Sequence, residues 1–126
     1  FEVDQARINT FADATGDHQW IHVNEEMAKQ MFGSTIAHGY LTLSLIPMFG
    51  PQVLRVEGVS RGINYGANKV RFTKMVPVNS KLRMVQTVKE VNEKAGGKQM
   101  ISECTIEIEG QERPACVAET ITVLYG

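Results

Sequence analysis

Hydrophobic positions change period halfway along the chain. Up to about residue 50 they recur at three- and four-residue spacing, and from about residue 63 they alternate. Ile8, Phe11, Ala12 and Thr15 fall on one face of a helix that Asp4 can cap and Gly16 can stop. Val3 and Ile8 stand at the two positions of a hydrophobic staple. A second, shorter helix is predicted from an Asn24 cap, with Glu25 and Glu26 at its positive end, Met27 and Met31 on one face, and Gly33 at its stop. The stretch Tyr40–Phe49 has no clear polar side, which predicts a helix buried nearly all round. Pro47 and Gly50-Pro51 limit it to about ten residues, or about 15 Å.

A helix without a polar side needs a layer wrapped around it, and the second half of the chain supplies strands. Met100, Ser102, Cys104, Ile106 and Ile108 alternate with Ile101, Glu103, Thr105, Glu107 and Glu109. Ala115, Val117, Ile121, Val123 and Tyr125 suggest the buried face of another strand, and Leu82, Met84 and Val88 that of a third. Ile63/Tyr65 and Val70/Phe72 predict one or two more before Pro77. Turns at Gly96-Gly97 and Glu109-Gly110 imply antiparallel pairing of consecutive strands. Helices first and antiparallel strands afterwards define an α+β chain, read as a single domain over residues 1–126.

Composition narrows the function classes. The chain is 43% hydrophobic and 21% charged, the balance of an ordinary globular domain rather than a disordered segment. The apolar run Ile36–Phe49 is broken by His38, Thr42, Ser44 and Pro47 and is too short to span a bilayer, so no membrane role is expected. Nothing at the start argues for export, although a chain beginning at Phe1 can have lost a leader; the expected location is cytoplasmic. Cys104 and Cys116 show no metal or disulfide spacing and read as reduced, buried thiols. A net charge of −1 speaks against nucleic acid. It conceals an acid-free interval between Glu57 and Glu90, in which Lys69 and Arg71 share one strand parity and can reach a phosphate group, or can simply be solvated strand charges.

The three histidines, His18, His22 and His38, lie within 21 residues of one another, with Asp17 beside the first. Imidazole suits proton transfer near neutrality, and a loop after a helix-ending glycine is a common place for such work. On spacing alone a structural histidine and a turn-forming aspartate explain these residues more simply than catalysis does. His18 and His22, four apart, would face the same way on a helix and could share a metal with His38 or Asp17, but bulky Trp20 and Ile21 after Gly16-Asp17 speak against a helix there. A second notable stretch, Gly33-Ser34-Thr35-Ile36-Ala37-His38-Gly39-Tyr40, ends where the apolar helix begins. There Gly39 would let a carbonyl approach a free backbone amide, or would simply permit tight packing at a loop-to-helix junction.

The two stretches together resemble the MaoC-like dehydratases, the (R)-specific enoyl-CoA hydratases of hotdog fold. That group carries Gly-Asp-x-Asn-Pro-x-His and, after about fifteen residues, His-Gly; this chain has Gly16-Asp17-His18-Gln19-Trp20-Ile21-His22 and Ile36-Ala37-His38-Gly39-Tyr40-Leu41. Tyr65–Phe72 and Pro77–Ser80 are similar to a bacterial subgroup of the family. The resemblance implies an antiparallel sheet wrapped around a long buried central helix, preceded by an N-terminal strand not evident here. It implies reversible addition of water to a trans-2-enoyl thioester, with Asp17 and His22 as the catalytic pair, Gly39 as the oxyanion donor, and His38 and Gln19 in support. No metal and no separate cofactor are implied, since coenzyme A enters as part of the substrate; Lys69 and Arg71 are the candidate contacts to its phosphates. A homodimer is the family habit. Gln19-Trp20 replaces the usual Asn-Pro, and two alternatives stand beside the hydratase: a hotdog acyl-CoA thioesterase and a non-catalytic acyl-thioester binding protein.

Overall fold

A computed structural model describes residues 1–126. A two-residue strand, β1 (Glu2–Val3), precedes five helices: α1 (Gln5–Thr15), α2 (Trp20–Val23), α3 (Glu25–Phe32), α4 (Gly39–Ser44) and α5 (Ile46–Val53). Four longer strands follow: β2 (Arg61–Arg71), β3 (Ser80–Lys94), β4 (Gly97–Ile108) and β5 (Cys116–Tyr125). They form one sheet in the order β1-β3-β4-β5-β2, antiparallel throughout. This is the expected α+β architecture.

The helix boundaries follow from their caps. The Asp4 carboxylate accepts the Arg7 N–H at 2.9 Å, and the chain leaves α1 through Gly16 at φ 85°, a conformation that side chains resist. Asn24 Oδ1 accepts the Met27 N–H at 3.0 Å and opens α3, which buries Ala28 and leaves Met27 and Met31 exposed. Val3, Ile8 and Ala12 are fully buried, as the staple requires.

The central helix departs from its prediction. It is two helices, broken at Leu45, because Pro47 has no N–H and its ring would meet the Leu43 carbonyl in a continuous helix. The Leu45 N–H turns back to the Thr42 carbonyl at 3.2 Å instead. Nor is the segment buried all round: Leu41, Leu45 and Phe49 enter the core with Leu82, Met84 and Ile106, while Tyr40 is 70% exposed. α5 also runs through Gly50-Pro51 to Val53.

The one or two strands expected before Pro77 are a single strand, β2, which holds Ile63, Tyr65 and Val70, ends just before Phe72 and has register irregularities after Asn64 and Ala67. Two further expectations are corrected. A strand does precede the first helix, since Glu2 and Val3 pair with Lys81 and Ser80. On β5 the residues facing the helices are Cys116, Ala118, Thr120, Thr122 and Leu124, opposite Ile106, Cys104, Ser102, Met100 and Lys98 of β4. Ile121 and Val123, which the sequence pattern had turned inward, are buried on the other side of the sheet by Ile101 and neighbouring chain.

Both thiols are unpaired and buried, and burial pushes the Cys116 thiol up to about 11. Neither thiol is therefore expected to react with a thiol-specific disulfide reagent at neutral pH in the native protein. Both are expected to react at once after unfolding in denaturant; a thiol titrated quickly under native conditions would contradict this.

Candidate active site

The loop Gly16–Gln19 and the turn at Thr35–His38 meet beside the N-terminus of α4. Backbone pairing holds the second segment in place: Ile36 N–H donates to the Ile21 carbonyl (3.1 Å), Ala37 N–H to Val76 (2.8 Å) and Val78 N–H to Thr35 (2.9 Å). α2 is a single helical turn starting at Trp20, which corrects the expectation that Trp20 and Ile21 speak against a helix there; that turn directs His22 inward, to 7% exposure. Gln5, at the start of α1, clamps the junction by donating from its amide to the His22 carbonyl (2.8 Å) and accepting the Thr35 hydroxyl (2.5 Å).

Asp17, His22 and His38 converge, with one carboxylate oxygen and one nitrogen of each ring all within 4.8 Å of one another. His22 Nδ1 lies 2.7 Å from the Ile36 carbonyl. A carbonyl only accepts, so Nδ1 carries the proton and the neutral ring keeps its lone pair on Nε2. His38 Nε2 donates to the Asp17 carbonyl at 3.0 Å, which leaves His38 Nδ1 buried and without a partner. The rings of His22 and His38 stack with centroids 3.9 Å apart and planes inclined by 23°. The Asp17 carboxylate accepts the Gln19 N–H (3.3 Å), placing Gln19 at the N-cap of α2, with its side chain making no cap bond.

His18 is not part of the cluster. It turns outward to Asp13 (3.0 Å), and that hydrogen bond raises its pKa. A metal shared by Asp17, His22 and His38 would need ring lone pairs converging at about 2.0–2.1 Å. Lone pairs lie in the ring planes, and in two nearly parallel stacked rings they run side by side, so these three residues do not fit an ion as placed.

A cavity of about 190 Å³ reaches the cluster at His22 and is also lined by Gly39, Thr42, Phe72, Lys74 and Met75, while Asp17 stands outside its lining. Gly39 is the first residue of α4, and its N–H has no intrahelical acceptor. His38 is 2% exposed and lies behind this lining rather than in it. Neither candidate phosphate contact lines the cavity. Lys69 stands opposite Glu119, whose carboxyl is held below its usual range chiefly by the Asn68 amide, and Arg71 Nη1 donates to the Val70 carbonyl (2.8 Å). The cation at the cavity is Lys74. Sequence reasoning had counted it in the acid-free interval without singling it out, because nothing in a strand pattern places the residues that follow β2.

Burial holds His38 below the usual imidazole pKa, only partly offset by its hydrogen bond to Asp17. The unfolded chain therefore takes up a proton here that the folded chain refuses. Stability from this group is fully present above about pH 6.5 and is lost as pH falls from there toward the folded pKa. The loss has a slope of at most about 1.4 kcal/mol per pH unit. Denaturant titrations between pH 7 and 5 check this: a His38→Phe variant, which keeps a flat ring beneath His22, is expected to lose that share of the acid dependence. An unchanged slope would contradict the linkage.

Comparison with known proteins places this geometry in a family. A model of the MaoC like domain matches residues 1–109. The chain is 50% identical over 121 residues to a 3-hydroxyacyl-thioester dehydratase Z of Mycobacterium tuberculosis, covering 94% of this chain and 80% of that protein. It is 41% identical over 127 residues to nodulation protein N of Rhizobium leguminosarum bv. viciae, covering 97% and 78%. Among solved structures, an (R)-hydratase from A. caviae involved in PHA biosynthesis superposes with a TM-score of 0.81 at 22% identity, over 97% of this chain and 88% of the other. At that identity the likeness shows the shared hotdog fold. The family model and the half-identical relative carry the assignment further: the chain belongs to the MaoC-like domain family.

Proposed function

We propose that this protein is a hydratase/dehydratase that adds water reversibly to trans-2-enoyl thioesters to give (R)-3-hydroxyacyl thioesters. The observation that carries the reading is the convergence of Asp17 and His22 beside the cavity that Gly39 lines. The 3-hydroxyacyl-thioester dehydratase named among the relatives, at 50% identity, supports it.

Each group has a task. The thioester carbonyl accepts the Gly39 N–H, which draws electron density from the β-carbon and stabilises the enolate oxygen that forms on attack. Water held between the Asp17 carboxylate and His22 Nε2 loses a proton as its oxygen bonds to the β-carbon, and the pair returns a proton to the α-carbon. The Asp17 carboxylate and a nitrogen of His22 lie within 4.8 Å of each other, a span that one water can bridge. His22 is kept in the right tautomer by Ile36, and Gln19 is held beside Asp17 by its backbone. Neither a metal nor a redox cofactor is required, because the thioester and the oxyanion donor supply the activation. The thioester is carried on coenzyme A or on an acyl-carrier protein, and Lys74 rather than Lys69 or Arg71 is the cation that lines the cavity and can meet an anionic group there.

The working form is a homodimer. β2 is an 11-residue edge strand with one side unpaired, and it exposes Ile63 and Tyr65, a combination that invites a second copy. A cytoplasmic location is supported by the two unpaired thiols; no helix is long and apolar enough to cross a membrane.

The test is incubation with crotonyl-CoA while following both loss of the conjugated thioester absorbance and release of free thiol. Loss of absorbance without thiol is the expected outcome. Thiol release without water addition would replace the reading with a thioesterase, and tight binding without turnover would replace it with a binding protein.

A further inference from the structure

The backbone carbonyl of His22 finds no partner in its own helix. α2 ends one residue later, at Val23, so no helical N–H reaches this oxygen, and no other backbone N–H does. Its hydrogen bond comes from Gln5 Nε2, seventeen residues back, at 2.8 Å. Chemistry settles the orientation of that amide. A carbonyl only accepts, so the Gln5 atom facing His22 is the nitrogen, and Oε1 faces the Thr35 hydroxyl, which donates to it at 2.5 Å. The second N–H goes to Asn9 Oδ1 at 2.9 Å. Every polar atom of the Gln5 side chain is thus engaged, and the Thr35 side chain it holds is fully buried.

These bonds close a ring through His22. Its imidazole donates from Nδ1 to the Ile36 carbonyl, Ile36 follows Thr35 in the chain, Thr35 is held by Gln5, and Gln5 returns to the His22 backbone. Gly39 follows in the same segment. One backbone bond, from Ile36 N–H to the Ile21 carbonyl, also joins the two segments. A single bond leaves rotation about its own axis, and the Gln5 bridge removes that freedom. Gln5 is itself fixed, because the Asp4 cap sets the first turn of α1 and buried Val3 and Ile8 anchor it on either side. It is absent from the lining of the cavity at His22 and Gly39.

We infer that Gln5 is a positioning residue for the hydration reaction: through Thr35 and the His22 carbonyl, its amide sets how His22 Nε2 faces the Gly39 amide, without touching substrate. The inference rests on the reading of His22 as a water-handling group and adds to it a residue that belongs to no motif. Rate is sensitive to such geometry, since a misplacement of about 1 Å can cost about 10²-fold. Substrate affinity, set by groups that line the cavity, is left alone.

Gln5→Glu is the first variant to test. Glutamate keeps the length of the side chain and an acceptor for Thr35, and it suits the first turn of a helix, so α1 survives. Its carboxylate cannot donate to the His22 carbonyl. With crotonyl-CoA the expected kcat is about 10- to 100-fold below wild type, with KM within about twofold. Thr35→Val is expected to lower kcat in the same sense, and Thr35→Ser, which keeps the hydroxyl, to leave it near wild type. In a His22→Asn background Gln5→Glu is expected to have no further effect, because a residue that acts through His22 has nothing left to position. An unchanged kcat in Gln5→Glu, a loss carried by KM, or a full further loss in the His22→Asn background would overturn the inference. Should Gln5→Glu fail to fold in thermal melts, the Thr35 pair decides, and a wild-type kcat in Thr35→Val would overturn it.

A second readout needs no turnover. In isotopically labelled protein the His22 Nδ1 proton is expected as a protected resonance in the magnetic resonance spectrum of the wild type, and as an exchange-broadened one in Gln5→Glu. An identical resonance in both would overturn the inference. Wild type that shows this difference but hydrates no enoyl thioester would instead remove the hydratase reading, so the two fail separately.

Discussion

Asp17→Asn is expected to lower turnover of an enoyl thioester by about 10²–10⁴-fold, the range in which a positioned acid–base group contributes, while the protein still folds. The substitution keeps the shape of the side chain and an oxygen able to accept the Gln19 N–H, so the loop geometry survives. What disappears is the negative charge and the second acceptor oxygen with which the proposed mechanism holds and deprotonates water. His22 is expected to matter as much but is harder to remove cleanly. His22→Ala leaves the Ile36 carbonyl without its donor in a buried place, at a cost of about 1–3 kcal/mol. His22→Asn restores a donor near the position of Nδ1 and is the better companion, losing the Nε2 lone pair while keeping the tether. Steady-state hydration rates check both, with fluorescence of the single Trp20 and thermal melts as reporters of folding. Turnover within a factor of ten of wild type in both Asp17→Asn and His22→Asn would remove the pair from the mechanism.

Gly39→Ala has the next largest expected effect, through a steric cause. A Cβ at this position would come within 2.9 Å of Phe72 Cδ2, closer than side chains approach one another. The Phe72 ring must move, and it lines the same cavity as His22 and Lys74. Strain of this kind costs about 1–3 kcal/mol in stability, but the larger consequence falls on activity. A methyl group at the amide donor, together with a displaced ring, keeps the thioester oxygen from the Gly39 N–H. Loss of one such donor is worth about 10²–10³-fold in kcat. A double variant, Gly39→Ala with Phe72→Leu, relieves the clash; recovery of stability without recovery of kcat would separate the two effects. A Gly39→Ala protein with unchanged kcat would show that the substrate does not use this amide.

Much of this was legible in the sequence, and the reasons are local. Caps at Asp4 and Asn24 and stops at Gly16 and Gly33 act within a few residues of themselves, so α1 and α3 could be read directly. The alternation over Met100–Ile108 is long enough to fix which face of β4 is buried. On β5 the same logic fails, because Ile121 and Val123 are apolar yet lie on the outer side, whereas the inner positions Thr120 and Thr122 are polar and line a cavity between the sheet and α4–α5. Apolar content marks burial, not which side buries it. Pro47 signals the break at Leu45, whereas the all-round apolarity of Tyr40–Phe49 points to full burial, and the exposed Tyr40 shows that apolar content alone does not establish it.

The candidate site divides the same way. Asp17, His22, His38 and Gly39 were picked out by spacing and family pattern, and the fold brings them together. Gln5, Phe72 and Lys74 were not, since each reaches the site from an element distant in sequence and none belongs to a short motif. His38 turns out to support the pair from behind, through a hydrogen bond to Asp17 and a stack on His22, without reaching the cavity. Trp20, which stands where the family pattern has proline, opens the α2 turn and stacks on Phe32 with centroids 6.0 Å apart. The substitution is thus absorbed at the surface, away from the ring of His22.

The most direct test of the central claim is the configuration of the product formed from a trans-2-enoyl-CoA. Wild-type protein is incubated with a series of chain lengths and the 3-hydroxyacyl product is resolved by chiral chromatography. Water delivered by Asp17 and His22 to a thioester held at Gly39 is expected to give the (R)-3-hydroxyacyl thioester alone. The (S) product, a racemic mixture, or no hydration at any chain length would contradict it.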